Sequence, residues 1–217
     1  MAQSDTVERI LDAAEALFAE KGFAETSLRT ITSQAGVNLA AVNYHFGSKK
    51  VLIQAVFTRF LDSFVAGIEA ELDHYESSGM TPGLEKLVAL LGQGAMKVKP
   101  RGENDIKVFM KLLALAFNQT QGHLRHHLKQ TYGSVFSRYM QLVMDAAPDL
   151  PMQELYWRIN FMMGSVIFTM SGFDALNAIS DEDYGVTTTV EDTLHRLGPF
   201  LVSGMRAPKD MDFSTKD

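Results

Sequence analysis

The chain has 217 residues, 46% of them hydrophobic and 21% charged, which excludes wholesale disorder and allows a real core. Its formal charge of −6 weighs against a nucleic-acid partner, and the lack of cysteine excludes a disulfide frame or thiolate metal site. The charge is unevenly placed, however: residues 1–60 carry six acidic and six basic side chains, leaving 20 acidic and 14 basic for the rest, so a locally basic N-terminal face remains possible.

Asp5 and Glu8 read as an acidic capping box ahead of a first helix. Its apolar stripe is Val7, Ile10, Leu11, Ala14, Leu17 and Phe18, closed by Gly22. Thr26 has the chemistry of a helix start, and Leu28, Ile31 and Ala35 follow at helical spacing. Gly36 stands where the chain must reverse. Asn38 reads as the cap of a short helix, Leu39–Phe46, with Val37, Val42 and Phe46 on its inner side. Ser48 then caps a long helix reaching about Tyr75, with Val56, Phe60, Phe64, Ile68 and Leu72 three or four residues apart. Lys49 and Lys50 in its first turn oppose the helix dipole, a penalty that a docked phosphate would reverse.

Two short helices joined by a glycine turn match the helix-turn-helix, whose second helix enters a major groove. The outer side chains fit that placement. Ala40 and Ala41 allow close approach to base edges and offer methyl groups to thymine, and Asn43 suits an adenine edge. Arg29 suits a guanine edge or a phosphate, and Tyr44 and His45 carry polar tips suited to phosphates. Between residues 21 and 60, Lys21, Arg29, Lys49, Lys50 and Arg59 stand against Glu25 alone.

After Ser77, Ser78, Gly79 and Met80, Thr81 and Pro82 are expected to start a helix, with proline at the first position. That helix should end before Pro100, Arg101 and Gly102. Further helical patterns cover Asp105–Asn118, Gly122–Ala146, 152–179 and 188–205, the last expected to kink at Pro199. Gly122, Pro148 with Pro151, and the 180–187 stretch are the breakers, and the tail past Pro208 is polar. Strand signals are absent. The expected architecture is all-α with about nine helices. A three-helix helix-turn-helix domain covers 1–50, the helix from 48 links onward, and 51–217 forms a helical ligand-binding and dimerisation domain.

Residues 161–168 are apolar around nearly the whole helix, the mark of burial on several sides. Gly164, Ser165 and Gly172 permit close approach. Together with Phe168 and with Leu194, Leu197, Phe200, Leu201 and Met205 they can form a two-fold four-helix interface; an ordinary central core helix is the competing reading. The chain holds 12 Met and 14 Phe. Phe109, Met110, Leu113, Phe117, Phe136, Met140, Met144, Phe161 and Met162 can line an apolar tunnel, with plain core packing the alternative for each. Arg125, Arg138, Asn118, His126 and Lys111 are the candidates for a polar head group.

His123, His126 and His127 lack an adjacent carboxylate and read as a surface patch rather than a metal site. No nucleophile elbow, phosphate-cradling glycine loop or HExxH run occurs, and Glu182 with Asp183 looks solvated. Neither catalysis nor a cofactor is expected. The longest apolar run, 161–173, is shorter than the roughly 20 residues of a bilayer span, and Asp5, Glu8 and Arg9 interrupt any signal peptide. A soluble, cytoplasmic protein with no membrane partner is the expectation.

Residues 6–60 resemble the DNA-binding domain of the TetR family of bacterial one-component transcriptional repressors. The carrying stretch is ILDAAEALFAEKGFAETSLRTITSQAGVNLAAVNYHFGSKKVLIQAV, above all AGVN and VNYHFGSKK. The wording NLAAVNYHFGSKKVLIQAVFTRFL, with MAQSDTVERILDAAEALF, is also similar to the PsrA-type, fatty-acid-responsive subgroup. The resemblance implies a homodimer, paired through its last two helices and bound to a palindromic double-stranded DNA operator. It further implies release by a long-chain fatty acid or acyl-CoA and control of fatty-acid metabolism genes. By position it implies DNA contacts from Ser27, Arg29, Leu39, Ala40, Ala41, Asn43, Tyr44, His45 and Lys49. Leu39, Ala40 and Ala41 depart in being apolar, so reading there would lean on van der Waals contact and shape. Two rivals stand beside this reading: a related regulator sensing a drug or quorum signal, and an all-α small-molecule enzyme indifferent to DNA.

Overall fold

The computed structural model describes residues 2–97, 105–119 and 121–209. The break expected at Pro100, Arg101 and Gly102, and the tail past residue 209, lie outside the described residues. Among those described, ten helices and no strand are present. They are α1 (Ala2–Glu25), α2 (Leu28–Ala35), α3 (Leu39–Phe46), α4 (Lys49–Ser78), α5 (Leu84–Lys97), α6 (Asp105–Asn118), α7 (Gly122–Ala146), α8 (Met152–Ser171), α9 (Phe173–Tyr184) and α10 (Val190–Arg206).

Four boundaries differ from the sequence pattern. Asp5 lies within the first turn of α1 rather than capping it, where its charge complements the helix dipole and pairs with Arg9 at 4.0 Å. Thr26 does not cap α2. It is buried, and its hydroxyl donates to the carbonyls of Leu17 (3.1 Å) and Gly22 (2.8 Å), groups left open by the break in α1 at Gly22. Pro82 lies ahead of α5, whose first amides bond to the Gly83 carbonyl. The single helix expected over 152–179 is two helices, α8 and α9, meeting at a 71° bend around Gly172. That split makes ten helices instead of about nine, and α9 carries the chain helically to Tyr184, through part of the expected breaker stretch. α10 opens with a capping box between Thr189 and Asp192 and continues through Pro199.

One apolar core runs from the N-terminal helices into the body. Phe18, Phe23 and Ile31 fill the space among α1, α2 and α4. Phe57 of α4 meets Phe23 on one side (ring centroids 6.2 Å) and Phe109 of α6 on the other (5.9 Å), and Phe60 packs on Phe109 at 5.0 Å. By length and composition α4 could cross a membrane, yet ten of its residues, from Leu52 to Tyr75, are buried in this core. Arg59 of α4 faces an acidic row on α1, at 2.5 Å from Asp12, 3.2 Å from Glu8 and 4.0 Å from Glu15.

Arg9 braces the α2–α3 turn from α1, its Nη2 donating to the carbonyls of Ala35 (2.6 Å) and Gly36 (3.0 Å). Gly36 is left-handed (φ 62°), and a Cβ there would lie 2.7 Å from that Nη2. Gly79 is also left-handed (φ 66°) but has open space around it. Gly36→Ala and Gly79→Ala should therefore share a backbone cost of about 1–2 kcal/mol. Gly36→Ala should lose about 1 kcal/mol more by displacing Arg9. Urea midpoints measure both, and the excess should vanish in an Arg9→Ala background; an equal cost at the two sites would contradict the bracing role.

Candidate nucleic-acid interface

The α2–α3 unit is built from short-range caps on a buried base. Ser27 caps α2, its Oγ accepting from the Thr30 amide at 3.1 Å and sharing a 2.8 Å hydrogen bond with the Thr30 hydroxyl. Asn38 caps α3 by accepting from the Ala41 amide at 2.9 Å, and Ser48 caps α4 by accepting from Val51 at 3.3 Å. Ile31, Ala35, Val42 and Phe46 point into the core, which fixes the rotation of both short helices. The opposite side of α3 is therefore left to solvent. Leu39, Ala40, Asn43 and Tyr44 are exposed, Ala41 and His45 are half-buried, and Tyr44 keeps 76% of its surface open. Its ring meets His45 edge-on at 5.0 Å. Arg29 stands exposed on α2.

Two members of the expected contact set have structural work as well. The Ser27 hydroxyl is engaged in capping. Lys49 is half-buried, with its Nζ donating to the Ala24 carbonyl at 3.2 Å, so it ties the start of α4 to the end of α1. A cation there also opposes the dipole of its own helix less, because it neutralises the carbonyl end of another. Lys50, the second lysine of that first turn, is exposed beside it.

Behind this face, α7 lies along the first turns of α4. Gln54 donates to the His123 carbonyl (3.1 Å), Thr58 Oγ1 and His127 Nε2 are 3.0 Å apart, and the Tyr132 hydroxyl donates to Asp62 at 2.6 Å. Burial and then the bond to Asp62 push the Tyr132 hydroxyl up to about 12. His123 Nε2 is buried without a hydrogen-bond partner. Burial first, and the nearby Lys50 charge second, hold its pKa below the ordinary 6.5.

In the body, the residues expected to line a tunnel differ in burial. Phe109 and Met110 are buried, and Leu113, Met140, Met144 and Met162 are partly buried against the same core. Phe117 and Phe161 are 61% and 64% exposed, and Phe136 is at the surface. Arg125 is exposed. Arg138 is held at 2.6 Å from Asp73 and 2.7 Å from Glu76 of α4, which raises its pKa further and leaves it a clamp between α4 and α7. The 161–168 stretch is not buried all round in a single chain. Phe161 and Phe168 project from α8, Trp157 stacks on Phe161 at 6.0 Å, and a Cβ at Gly164 would meet open space. On α10, Leu201 is buried, Leu194 and Leu197 are half-buried and Phe200 is 64% exposed. Gly172 sits at the α8–α9 bend. Among the described residues no group of three or more His, Asp or Glu side chains could hold a metal ion.

Comparison with known proteins places this geometry. The family described as "Bacterial regulatory proteins, tetR family" matches residues 10–56, and "Tetracyclin repressor-like, C-terminal domain" matches residues 89–204. A probable HTH-type transcriptional regulator, YttP of Bacillus subtilis, is 30% identical over 83 residues, covering 38% of this chain and 40% of that protein. The HTH-type transcriptional repressor KstR2 of Mycolicibacterium smegmatis is 31% identical over 83 residues, covering 38% of each. The matched stretch thus spans about two fifths of the length of these relatives. Among solved structures, the fatty acid degradation regulator FadR from Bacillus halodurans superposes with a TM-score of 0.61 at 17% identity, covering 94% of this chain and 97% of that one. SmeT, the repressor of the Stenotrophomonas maltophilia multidrug efflux pump SmeDEF, gives 0.59 at 20% identity, covering 93% and 90%. FadR from Bacillus subtilis in complex with stearoyl-CoA gives 0.54 at 15% identity, covering 91% and 98%.

The half-buried His123 makes stability depend on pH in a defined direction. Its folded pKa lies below 6.5, so unfolding takes up a proton in that range. Its stabilising contribution is present above pH 6.5 and is lost as pH falls through the depressed folded value. Urea midpoints at pH 7.5 and 5.5 should fall more steeply for the native chain than for His123→Gln; equal slopes would contradict the assignment.

Proposed function

This chain belongs to the TetR family of bacterial regulatory proteins, and from that premise we propose that it represses transcription as a homodimer on a palindromic operator, with release by a fatty-acyl effector. The observation that carries DNA reading is the exposed side of α3. A helix of eight residues, pinned by Val42 and Phe46 and capped at its start, turns Leu39, Ala40, Asn43 and Tyr44 outward as exposed residues. Leu39 and Ala40 present apolar surface for thymine methyls, and Asn43 can both donate to and accept from an adenine edge. Tyr44, Arg29 and Lys50 are exposed and have the chemistry to meet phosphates, and His45 and Ala41 are half-buried on the same helix as Tyr44. Ser27 and Lys49 contribute by setting helix ends, with any phosphate contact secondary to that.

Pairing follows from the exposed apolar side of α8 and α10. Phe161, Gly164, Phe168 and Phe200, with Leu194 and Leu197 half-open behind them, are the residues we assign to the dimer surface. A contiguous apolar patch on an otherwise polar surface marks an interaction site, and a two-fold axis through it would give two reading heads. Leu201 and Gly172 support that surface from inside the protomer.

For the effector, the reading is a long acyl chain lodged between α6, α7 and α8 against Met110, Leu113, Met140 and Met162. Methionine-rich packing yields to an irregular apolar guest. Support comes from two fold relatives, one a fatty acid degradation regulator and one a FadR solved in complex with stearoyl-CoA. A drug-responsive regulator is the second reading, favoured by the likeness to the efflux-pump repressor SmeT. Mobility-shift titration of a duplex selected from random sequence, with stearoyl-CoA, oleate and a cationic efflux dye, decides between them. Release by the acyl compounds alone is expected; release by the dye alone would favour the second reading.

Lys50→Ala should lower operator affinity about equally across sequences and reduce the salt slope by roughly one. Lys49→Ala should also shift the thermal midpoint of the protein, because it loses the Ala24 tether. An unchanged slope in Lys50→Ala would remove the phosphate role. Asn43→Ala should lose about 1–3 kcal/mol of discrimination at one operator position. A base preference retained there would show that Asn43 reads nothing.

A further inference from the structure

A cleft of about 430 Å³ opens at the end of the body far along the chain from the reading head, lined by Leu84 at the start of α5, residues 146–151 from the end of α7 to the start of α8, Arg158 and the last turn of α10. None of the residues assigned to the acyl chain borders it. Its unusual member is Arg158, which is only 5% exposed. The guanidinium is held on two edges: Nε donates to Glu154 at 2.8 Å, and Nη1 donates to the carbonyls of Met205 (2.8 Å) and Gly204 (3.3 Å). Those bonds neutralise the charge and cap the C-terminal end of α10. Nη2 has no partner among the described residues, yet it is not sealed from solvent. A guanidinium carries five N–H donors in a fixed fork, and two of them here meet no acceptor among the described residues.

The other charges around the cleft decide what kind of ligand fits. Arg206 is engaged with Glu85, and Glu154 with Arg158. Lys209 and Asp149 remain and oppose each other in sign. The local field is therefore close to neutral, and selection must come from the directed Nη2 donors together with the apolar lining of Leu84, Leu150 and Met205. A charge-assisted bond from a fixed guanidinium to a carboxylate is short and roughly twice as strong as a neutral one. A highly charged phosphate would gain little more here and would face both Glu154 and Asp149.

We propose that this cleft binds a small amphipathic carboxylic acid, its carboxylate accepting from Nη2 of Arg158 and its apolar part resting on Leu84, Leu150 and Met205. Such a ligand would fasten the first turns of α8 to the end of α10, the two helices that carry the exposed aromatic surface. The site stands apart from the effector reading and needs no operator to be tested. Titration of the full chain with 4-phenylbutyrate and with its neutral amide, by calorimetry and by amide chemical shifts, tests it. The acid should bind at least tenfold more tightly than the amide, with shifts confined to Leu84 and its neighbours and to residues 146–158 and 203–209. Ala147→Trp, which fills the cleft and leaves Arg158 in place, should abolish binding. Arg158→Lys, which keeps the charge and removes the fork, should weaken it about tenfold where the variant folds. Equal binding of acid and amide, shifts centred on α6 and α7, normal binding by Ala147→Trp, or no binding of the acid would each overturn the proposal.

Discussion

The structure depends on α4 being shared. Its first turns complete the core of the reading head, and its remaining turns are the wall against which α5 and α7 pack. The junction is made of rings: Phe23 on α1, Phe57 and Phe60 on α4 and Phe109 on α6 form one continuous aromatic contact. Each such side chain buries area worth about 1.5–3 kcal/mol relative to exposure. Arg59 and its acidic row on α1 add register more than stability, since the carboxylates of Glu8 and Asp12 are about half exposed and solvent screens them. The head is therefore not a bead on a linker. Any tilt of the body half of α4 must carry the head with it.

That coupling gives the exposed α3 face its meaning. A reading helix is useful only if its angle is defined, and here the angle is set by buried Val42 and Phe46, by the Asn38 cap, and by Arg9 gripping the turn from α1. The polar seam between α4 and α7, from Gln54 to Asp62, lies directly behind Lys50. It is less well satisfied than the aromatic junction, since His123 Nε2 has no partner. A two-state element is cheaper to move along a seam with unmet polar groups than along a close-packed one. In the proposed mechanism a ligand inserted among α6, α7 and α8 shifts that seam, and the population of heads spaced for DNA falls.

Much of this was legible in the residues themselves. Asn38, Gly36 and Ser48 announce their roles by chemistry that acts within four residues, so the bounds of α3 and the start of α4 follow from the sequence alone. α6 and α7 were equally plain from their periodicity and flanking breakers. Roles that local chemistry does not announce arise where a distant partner acts. Thr26 looks like a cap, but the open carbonyls of Leu17 and Gly22 claim its hydroxyl and pull it inside. Lys49 looks like a solvated phosphate hook, but Ala24 holds it. Arg138 looks like a head-group anchor until α4 supplies Asp73 and Glu76. The Gly172 bend was hidden because apolar residues continue on both sides, and periodicity does not report a change of direction. Arg158, buried among apolar neighbours in the sequence, gave no local sign that α10 would return to receive it.

In the proposed mechanism the two heads of a dimer are positioned through α4, so that operator and effector favour different head spacings. Because the chain contains no cysteine, one spin label at Gln34→Cys on exposed α2 reports that spacing directly by pulsed electron resonance. With a selected operator duplex the label-to-label distribution should narrow, consistent with half-sites about 34–36 Å apart, and stearoyl-CoA should move it to a different mean. A distribution that is the same with operator and with effector, or the absence of any dipolar signal from a dimer, would contradict the claim.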